Sequence, residues 1–347
     1  MLDLPQLYQK PTGQTLLATL ADLSLQPPSW DSATVSQRKR KIRSEGVPSY
    51  LTKIVSSPLA WIGSDDERER IWEAASQRLS ERSGRTAMGA MERIFNIPLN
   101  TIKATQADDY TGGVAIRLHE PALTGDNLGL KTWASSYLLA KRLATLREDV
   151  LSKLAADEQI LELGSGTGLV GLAAALVFNR PAILTDLSEI VPNLEHNISL
   201  NATLLTDHQC DVKARVLDWS DPSSLSPHTQ RQQQHPPRTQ TQTRSFPLIL
   251  AADPIYSPSH PTLFTQAVDT HLSRHKGALL VVELPLRKAY APERRELVER
   301  LEALGLGLVG EGEEVGFDDW SAGGDGEELD EVRCWWSVWG WDEEGER

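Results

Sequence analysis

A glycine-rich turn follows directly on an apolar run near the middle of the chain. Residues 160–163 read Ile-Leu-Glu-Leu, residues 164–168 read Gly-Ser-Gly-Thr-Gly, and the alanine- and leucine-rich segment Leu169–Phe178 comes next. This order predicts a strand, a tight turn and a helix. Glycine has no Cβ, so the turn lets a ligand approach the backbone and meet the N–H groups of a helix N-terminus. The pattern therefore predicts a nucleotide-binding α/β unit.

Two kinds of nucleotide cofactor are compatible with this turn. A P-loop is excluded, because no Gly-Lys-Ser/Thr closes the turn. Residues 166–171 match the dinucleotide fingerprint G-x-G-x-x-G, and Asp186 lies 20 residues beyond Gly166. S-adenosylmethionine is the other candidate, and it is favoured by the acidic Glu162 before the turn and by Gly164 at the strand end. A structural turn without a ligand is the third interpretation.

Polar side chains also end three further apolar runs. Asp186 closes residues 182–186, Asp218-Trp219 closes residues 212–219, and Asp253-Pro-Ile-Tyr256 follows residues 247–252. Ligands of open α/β sheets bind beyond the carboxyl ends of the strands, where all of these residues would meet. Asp186 can accept hydrogen bonds from both ribose hydroxyls in either cofactor. An ordinary core aromatic stays an alternative for Trp219, and a turn-initiating pair for Asp253-Pro254.

Together these motifs resemble those of the seven-β-strand, S-adenosylmethionine-dependent protein methyltransferases of the lysine-modifying group called methyltransferase family 16. The resemblance covers roughly residues 110–340. It rests on these motifs: Gly129-Leu-Lys-Thr-Trp133-Ala-Ser-Ser, Leu161-Glu-Leu-Gly-Ser-Gly-Thr-Gly168, Thr185-Asp186, Asp218-Trp219 and Ala251-Ala-Asp-Pro-Ile-Tyr256. Within the group, the chain is most similar to fungal members with a long N-terminal extension, some of which act on translation elongation factors.

The resemblance implies a fold and a set of site residues. The fold is α/β, with a Rossmann-like seven-stranded methyltransferase sheet, a terminal antiparallel hairpin and a mainly helical N-terminal extension. The residues expected at the cofactor are Trp133, Glu162, Gly164, Ser165, Gly166, Asp186, Asp218, Trp219 and Ala252. Of these, Asp218 would read the adenine amino group. The pair Asp253 and Tyr256 is expected to be catalytic and to face the target amine.

Methyl transfer to a lysine places a specific demand on Asp253 and Tyr256. The reaction is an in-line displacement from a sulfonium by a neutral amine, so the enzyme mainly supplies positioning and a dehydrated channel. A lysine with its ordinary pKa of about 10.4 is nearly all protonated at neutral pH. Desolvation and an acceptor such as Asp253 or Tyr256 would favour the neutral amine. The chemistry needs no metal and no covalent nucleophile.

The chain divides by composition into two predicted domains. Residues 1–110 are predicted to form a mainly helical extension that takes part in substrate selection, and residues 111–347 the methyltransferase domain. In the extension, Ser64 and Glu67 form a capping-box pattern before a segment with helical spacing. Residues 221–245 are rich in Ser, Pro, Gln, Thr and Arg, so we expect a disordered insertion there.

Two segments near the C-terminus help to choose the cofactor. Gly305–Val315 and Glu331–Trp341 are predicted as paired strands separated by an acidic, glycine-rich loop. Such a terminal antiparallel pair is expected of the methyltransferase sheet and is unusual for a simple dinucleotide domain. We therefore predict a protein-lysine N-methyltransferase that uses S-adenosylmethionine. A small-molecule methyltransferase, an NAD-dependent oxidoreductase and a non-catalytic binding module of the same fold stay open as alternatives.

Composition agrees with a cytosolic enzyme. The 347 residues are 40% hydrophobic, and no apolar run approaches the roughly 20 residues of a membrane span. The first residues lack the features of a signal peptide. Only Cys210 and Cys334 occur, and the eight histidines show no metal-ligand spacing, so neither a disulfide framework nor a metal site is expected. The basic cluster Arg38–Arg43 leaves an additional nuclear share open.

Negative charge is concentrated at the C-terminal end. Between Glu311 and Arg347 there are 14 acidic and two basic residues, a local balance of −12 out of −13 for the whole chain. One hypothesis is that this acidic region steers a basic protein partner, and a solvated segment that aids solubility is the alternative. Neither nucleic acid nor a membrane is an expected partner. A monomer is the default oligomeric state.

Overall fold

The structure is a computed structural model that describes residues 4–24, 46–83, 89–100, 112–122, 128–155, 157–225, 246–318 and 330–342. The chain divides into two compact units. The first comprises Met1–Met91, Pro121–Leu128 and Phe317–Glu331, and the second comprises Glu92–Glu120, Gly129–Gly316 and Val332–Arg347. The predicted domain ranges 1–110 and 111–347 stay a prediction.

The described residues of the first unit are mainly helical, as the sequence predicts, and they contain three α-helices. They are α1 (Gly13–Asp22), α2 (Val47–Ser56) and α3 (Asp65–Ser80). The predicted cap of α3 is present, because the Ser64 hydroxyl accepts a hydrogen bond of 3.3 Å from the Glu67 N–H. Ile71 and Ala75 of α3 are fully buried and join a common apolar core with side chains of α1 and α2, including Leu16, Leu20, Leu51 and Ile54.

The second unit contains a two-stranded sheet and a seven-stranded sheet. Strands β1 (Met91–Pro98) and β2 (Gly113–Glu120) form the small sheet. The large sheet has the strand order β5-β4-β3-β6-β7-β9-β8. Its strands are β3 (Ile160–Leu163), β4 (Ala182–Asp186), β5 (Val212–Val216), β6 (Leu248–Ala252), β7 (Leu279–Pro285), β8 (Leu306–Asp318) and β9 (Asp330–Trp341). Strands β3 to β7 pair in parallel, and β9 runs antiparallel to β7. The predicted methyltransferase sheet is therefore confirmed.

Six further α-helices lie in the described part of the second unit. They are α4 (Ala134–Leu151), α5 (Leu169–Phe178), α6 (Val191–Leu200), α7 (Ala202–Asp207), α8 (His260–His271) and α9 (Ala291–Ala303). Strands β3 and β7 are buried at every residue, as expected of parallel strands covered on both faces. Helix α5 is buried along its whole length because it consists of apolar residues and one glycine. None of the described helices is long and apolar enough to cross a membrane.

The predicted insertion at 221–245 begins with ordered residues. Pro222–Ser224 form a 3-10 turn, and the Asp221 side chain caps it by accepting from the Ser223 N–H. The rest of the predicted insertion, from residue 226 to 245, lies outside the described residues. Strand β6 continues the parallel sheet beyond it, so the sheet accommodates the added length.

Candidate active site

The glycine turn between β3 and α5 adopts a backbone that requires glycine. Gly164, Gly166 and Gly168 have φ angles of +70°, +54° and +91°, in the left-handed region. A Cβ on Gly168 would lie 2.6 Å from a methyl carbon of Leu194, and one on Gly166 would lie 3.0 Å from the Gly129 carbonyl oxygen. Leu194 and Gly129 therefore pack so closely against the turn that a side chain at Gly168 or Gly166 would collide with them.

Glu162 and Ser165 lie beneath the turn. The Glu162 carboxylate is 2% exposed and accepts a hydrogen bond of 3.0 Å from the Gly171 N–H at the start of α5. Burial raises its pKa to about 8. The Ser165 hydroxyl hydrogen bonds with Glu162 and accepts from the Thr185 N–H of β4 at 2.9 Å. Both side chains therefore fix the turn to the sheet and to α5.

Asp186 lies directly beside the turn, at the carboxyl end of β4. One carboxylate oxygen accepts from the Gly166 N–H at 2.7 Å, and the other accepts from the Leu187 N–H at 2.8 Å. Burial raises the pKa of Asp186 to about 6, against the effect of these two hydrogen bonds. Each carboxylate oxygen has two acceptor positions, so the group can still receive ribose hydroxyls while it holds the turn.

Trp219 forms one wall next to the turn. Its ring lies 3.2 Å from the position that a Cβ on Gly164 would occupy, and it meets the Phe264 ring edge-on at a centroid distance of 5.4 Å. Trp219 thus packs against Phe264 of the core and also lies beside Gly164 of the turn. The neighbouring Asp218 accepts hydrogen bonds from the backbone and hydroxyl of Ser220, at 2.8 and 2.7 Å, which lower its pKa.

Asp253 follows β6 in an unusual backbone conformation. Its φ of +52° is left-handed, which costs energy for a residue other than glycine, and such residues cluster at functional sites. Its N–H donates to the Glu283 carbonyl oxygen at 2.8 Å. The side chain is 8% exposed, and an Arg287 nitrogen lies 2.9 Å from one of its oxygens. Ala252, the residue before it, is partly exposed at the end of β6.

Tyr256 is half-exposed beside Asp253. Burial raises the pKa of its hydroxyl, and the charges of Asp186 and Asp253 add to the rise. Tyr256 is therefore a neutral phenol at neutral pH and lies within electrostatic reach of both the turn side and the Asp253 side. Its ring stands edge-on to His260 at a centroid distance of 4.2 Å.

Trp133 lies on the Asp253 side of the site, at the start of α4. The guanidinium carbon of Arg287 lies 5.3 Å from its ring centroid, and the ammonium of the buried Lys131 lies 4.4 Å from it. The structure thus brings the residues predicted for the cofactor and for the amine to one edge of the sheet. The turn, Asp186 and Trp219 fit an adenosyl cofactor, because they offer backbone N–H groups, a ribose acceptor and an aromatic surface.

Comparisons with known proteins agree with this geometry. A family model described as lysine methyltransferase matches residues 114–289, half of the chain. The chain belongs to the lysine methyltransferase family. It is 29% identical to protein-lysine N-methyltransferase rrg1 of Schizosaccharomyces pombe over 97% of each chain. It is 36% identical to protein-lysine N-methyltransferase EFM2 of Saccharomyces cerevisiae over 79% of this chain and 62% of that protein.

The lysine methyltransferase is also similar to solved structures. An S-adenosylmethionine-dependent methyltransferase from Agrobacterium tumefaciens matches with a TM-score of 0.42 and 15% identity, over 65% of this chain and 67% of that one. Members of this family transfer methyl groups from S-adenosylmethionine, so the cofactor of this enzyme is S-adenosylmethionine and not a dinucleotide. The protein is an S-adenosylmethionine-dependent protein-lysine N-methyltransferase, and its substrate is a protein.

Two residues of the methyltransferase site were missed in the sequence. Arg287 pairs with Asp253, and it lies two residues beyond Pro285 at the end of β7. The rule that ligands meet the carboxyl ends of the strands, applied to β7 as well, would have pointed to it. His260 opens α8 and contacts both Tyr256 and Trp219, with ring centroids 4.2 and 6.0 Å away. Its position four residues after Tyr256 was the available signal.

Proposed function

We propose that the methyltransferase holds S-adenosylmethionine along the ends of β3 to β6 and receives the target lysine beside it, at Asp253 and Tyr256. The observation that carries this is the alignment of the parallel strand ends. Leu163 is paired with Thr185, and Asp186 with Val216, so the turn, Asp186 and Asp218-Trp219 follow one another along one sheet edge. The residues proposed to hold the cofactor are Trp133, Glu162, Gly164, Ser165, Gly166, Asp186, Asp218, Trp219 and Ala252, with Glu162 and Ser165 acting through the turn.

The chemistry follows from the groups around Asp253. Bound S-adenosylmethionine supplies an electrophilic methyl group on a sulfonium sulfur. The lone pair of the lysine nitrogen forms the new N–C bond, the electron pair of the broken C–S bond stays on sulfur, and one proton leaves the nitrogen. Asp253 and Tyr256 are proposed to receive hydrogen bonds from the amine and so to orient its lone pair toward the methyl group.

A translation elongation factor is the protein substrate that we propose. The resemblance to fungal members with an N-terminal extension supports it, and the described residues of the first unit include the helices α1, α2 and α3 of such an extension. The acidic charge of the chain also favours a basic protein surface. We propose further that the enzyme acts in the cytosol and as a monomer.

Transfer of labelled methyl groups tests both the cofactor site and the substrate. Purified enzyme is incubated with methyl-tritiated S-adenosylmethionine and a fungal lysate, and wild type is compared with Asp186→Ala. We expect a labelled protein band that Asp186→Ala loses, because the variant lacks the ribose acceptor and binds the cofactor more weakly by about 1–3 kcal/mol. Equal affinity of the variant for S-adenosylhomocysteine would contradict the role of Asp186.

The size of the labelled band tests the substrate. A band of the mass of an elongation factor, in which the label lies on a lysine, agrees with the proposal. A labelled protein of a different identity would contradict the elongation-factor assignment alone. Labelled small molecules with no labelled protein would contradict the whole proposal and favour the small-molecule alternative.

A further inference from the structure

Arg287 binds Asp253 with both arms of its guanidinium group. Its two terminal nitrogens lie 2.9 and 3.4 Å from the two carboxylate oxygens. The carboxylate is 8% exposed whereas the arginine side chain is 36% exposed. A forked pair of this kind fixes the plane of the carboxylate as well as its charge.

Three elements of the fold hold Arg287 in this place. The residue follows the end of β7, where the Leu286 N–H donates to the Arg333 carbonyl oxygen at 2.7 Å. Its own carbonyl oxygen accepts from the Arg294 guanidinium of α9 at 2.6 Å. Its guanidinium lies against the Trp133 ring at the start of α4. The arginine therefore links Trp133 to Asp253.

We propose that Arg287 is a positioning residue for the methyl transfer, which orients the Asp253 carboxylate and sets the charge that the target lysine meets. The inference rests on the proposed assignment of Asp253 to the target amine. An unpaired carboxylate would attract the protonated lysine, which has no lone pair and cannot be methylated. Paired with Arg287, Asp253 presents a carboxylate whose charge is offset, so it accepts hydrogen bonds from the N–H groups of a neutral amine without selecting the protonated form.

The geometry also decides where the proton goes. The Arg287 guanidinium at 2.9 Å favours the charged form of Asp253, so Asp253 serves as an acceptor that orients the amine and is a poor place to store the proton of the reaction. The proton lost by the lysine leaves to solvent, through the exposed side of the site that contains Tyr256. The positive charge of Arg287 favours this loss, because like charges disfavour the protonated amine.

A pH–rate profile tests this role. Initial rates of tritium transfer into fungal lysate protein are measured from about pH 6.5 to about pH 9.5 for wild type, Arg287→Met and Arg287→Lys. For Arg287→Met we expect the rising limb to move up by about one pH unit, which lowers the rate at neutral pH about tenfold. Arg287→Lys keeps the positive charge but cannot bind both carboxylate oxygens at once. We therefore expect the rising limb of its pH–rate profile near that of wild type, with a reduced maximal rate.

Three controls make the outcome decisive. Affinity for S-adenosylhomocysteine should be unchanged in both variants, and its loss would overturn a role at the amine. Arg295→Met removes an exposed arginine of α9 and should leave the profile unchanged. An Arg287→Met rate that falls equally at every pH would overturn the proposed charge-setting role. Asp253→Asn separates the two proposals: wild-type turnover in that variant contradicts the assignment of Asp253 itself, whereas lost turnover beside an unmoved Arg287→Met profile contradicts only the inference about Arg287.

Discussion

Glu283 lies fully buried on an inner strand of the sheet, next to the active site. Its Cα is paired with that of Ala252 across β6 and β7, and its carbonyl oxygen accepts from the Asp253 N–H. Neither of its carboxylate oxygens has a hydrogen-bond partner among the described residues. Burial raises the pKa of Glu283 to about 9, Glu314 adds to the rise and Arg142 opposes it. The side chain is therefore protonated in the folded protein at neutral pH.

We predict that Glu283→Gln stabilises the protein at alkaline pH and not at acidic pH. The folded-state pKa is raised above the ordinary value of 4.5, so the favourable contribution of protonated Glu283 is complete below about pH 4.5 and is lost as the pH rises toward about 9. Glutamine does not titrate. The difference between the two proteins should grow by at most about 1.4 kcal/mol per pH unit within this window.

Denaturant unfolding at about pH 5 and about pH 8.5 measures this difference. Glu299→Gln changes an exposed glutamate of α9 and serves as the matched control, with equal stability at both pH values. A Glu283→Gln variant that is destabilised by the same amount at both pH values would show that the carboxyl group makes a hydrogen bond essential to the fold.

At the scale of elements, helix α6 covers β2 with side-chain amides in place of a neighbouring strand. The Asn197 oxygen accepts from the His119 N–H at 2.7 Å, and its nitrogen donates to the carbonyl oxygens of His119 and Thr167 at 3.2 and 2.9 Å. One turn later, Asn201 binds the N–H and the carbonyl of Arg117 in the same way, at 3.0 and 2.7 Å. Because Thr167 belongs to the glycine turn, Asn197 connects β2 to the cofactor site.

We predict that Asn197→Ala destabilises the protein and also weakens cofactor binding. The substitution removes the side-chain partner of the His119 N–H and of the buried Thr167 carbonyl, at a cost of about 1–3 kcal/mol. Asn193→Ala is the matched control on the same helix. Asn193 also hydrogen bonds to His119, but it is partly exposed, so water can replace its hydrogen bonds in the variant. Unfolding and calorimetry with S-adenosylhomocysteine measure both effects. Equal losses in the two variants would contradict a special role for Asn197.

These elements show how far the sequence could lead. Apolar runs that end in Gly164, Asp186, Trp219 or Asp253 predicted the strands and their common edge, because parallel strands bring their carboxyl ends together. The direction of the Glu162 side chain could not be predicted, since a strand residue before a turn can face the ligand or the core. Contacts between residues far apart in the chain could not be predicted either. Asp253 and Arg287 are 34 positions apart, and His119 and Asn197 are 78 positions apart. Such pairs depend on how helices pack on strands.

At the scale of the whole molecule, the distribution of charge is the feature that bears on substrate encounter. Most of the net charge of −13 arises from the region between Glu311 and Arg347. Three of its acidic residues have partners on β9 or α4. Glu311 accepts from the Trp335 indole at 2.7 Å, Glu313 pairs with Arg333, and Glu314 pairs with Arg142 of α4 at 2.7 Å. Glu311, Glu313 and Glu314 therefore contribute little to any steering of a basic partner.

We predict that neutralising part of this charge slows methylation of a basic substrate only at low ionic strength. Asp325→Asn, Glu327→Gln and Glu328→Gln are combined in one variant, and the control variant carries amides at the exposed residues Glu148, Glu195 and Asp207. Both variants lose three negative charges.

The apparent second-order rate for the labelled lysate protein should fall about threefold or more in the first variant alone, and the difference should vanish in high salt, because steering is screened beyond the Debye length. Affinity for S-adenosylhomocysteine should stay constant in both. If the two variants show the same rates and the same salt dependence, the acidic region does not steer the substrate, and aiding solubility is the better account of its charge.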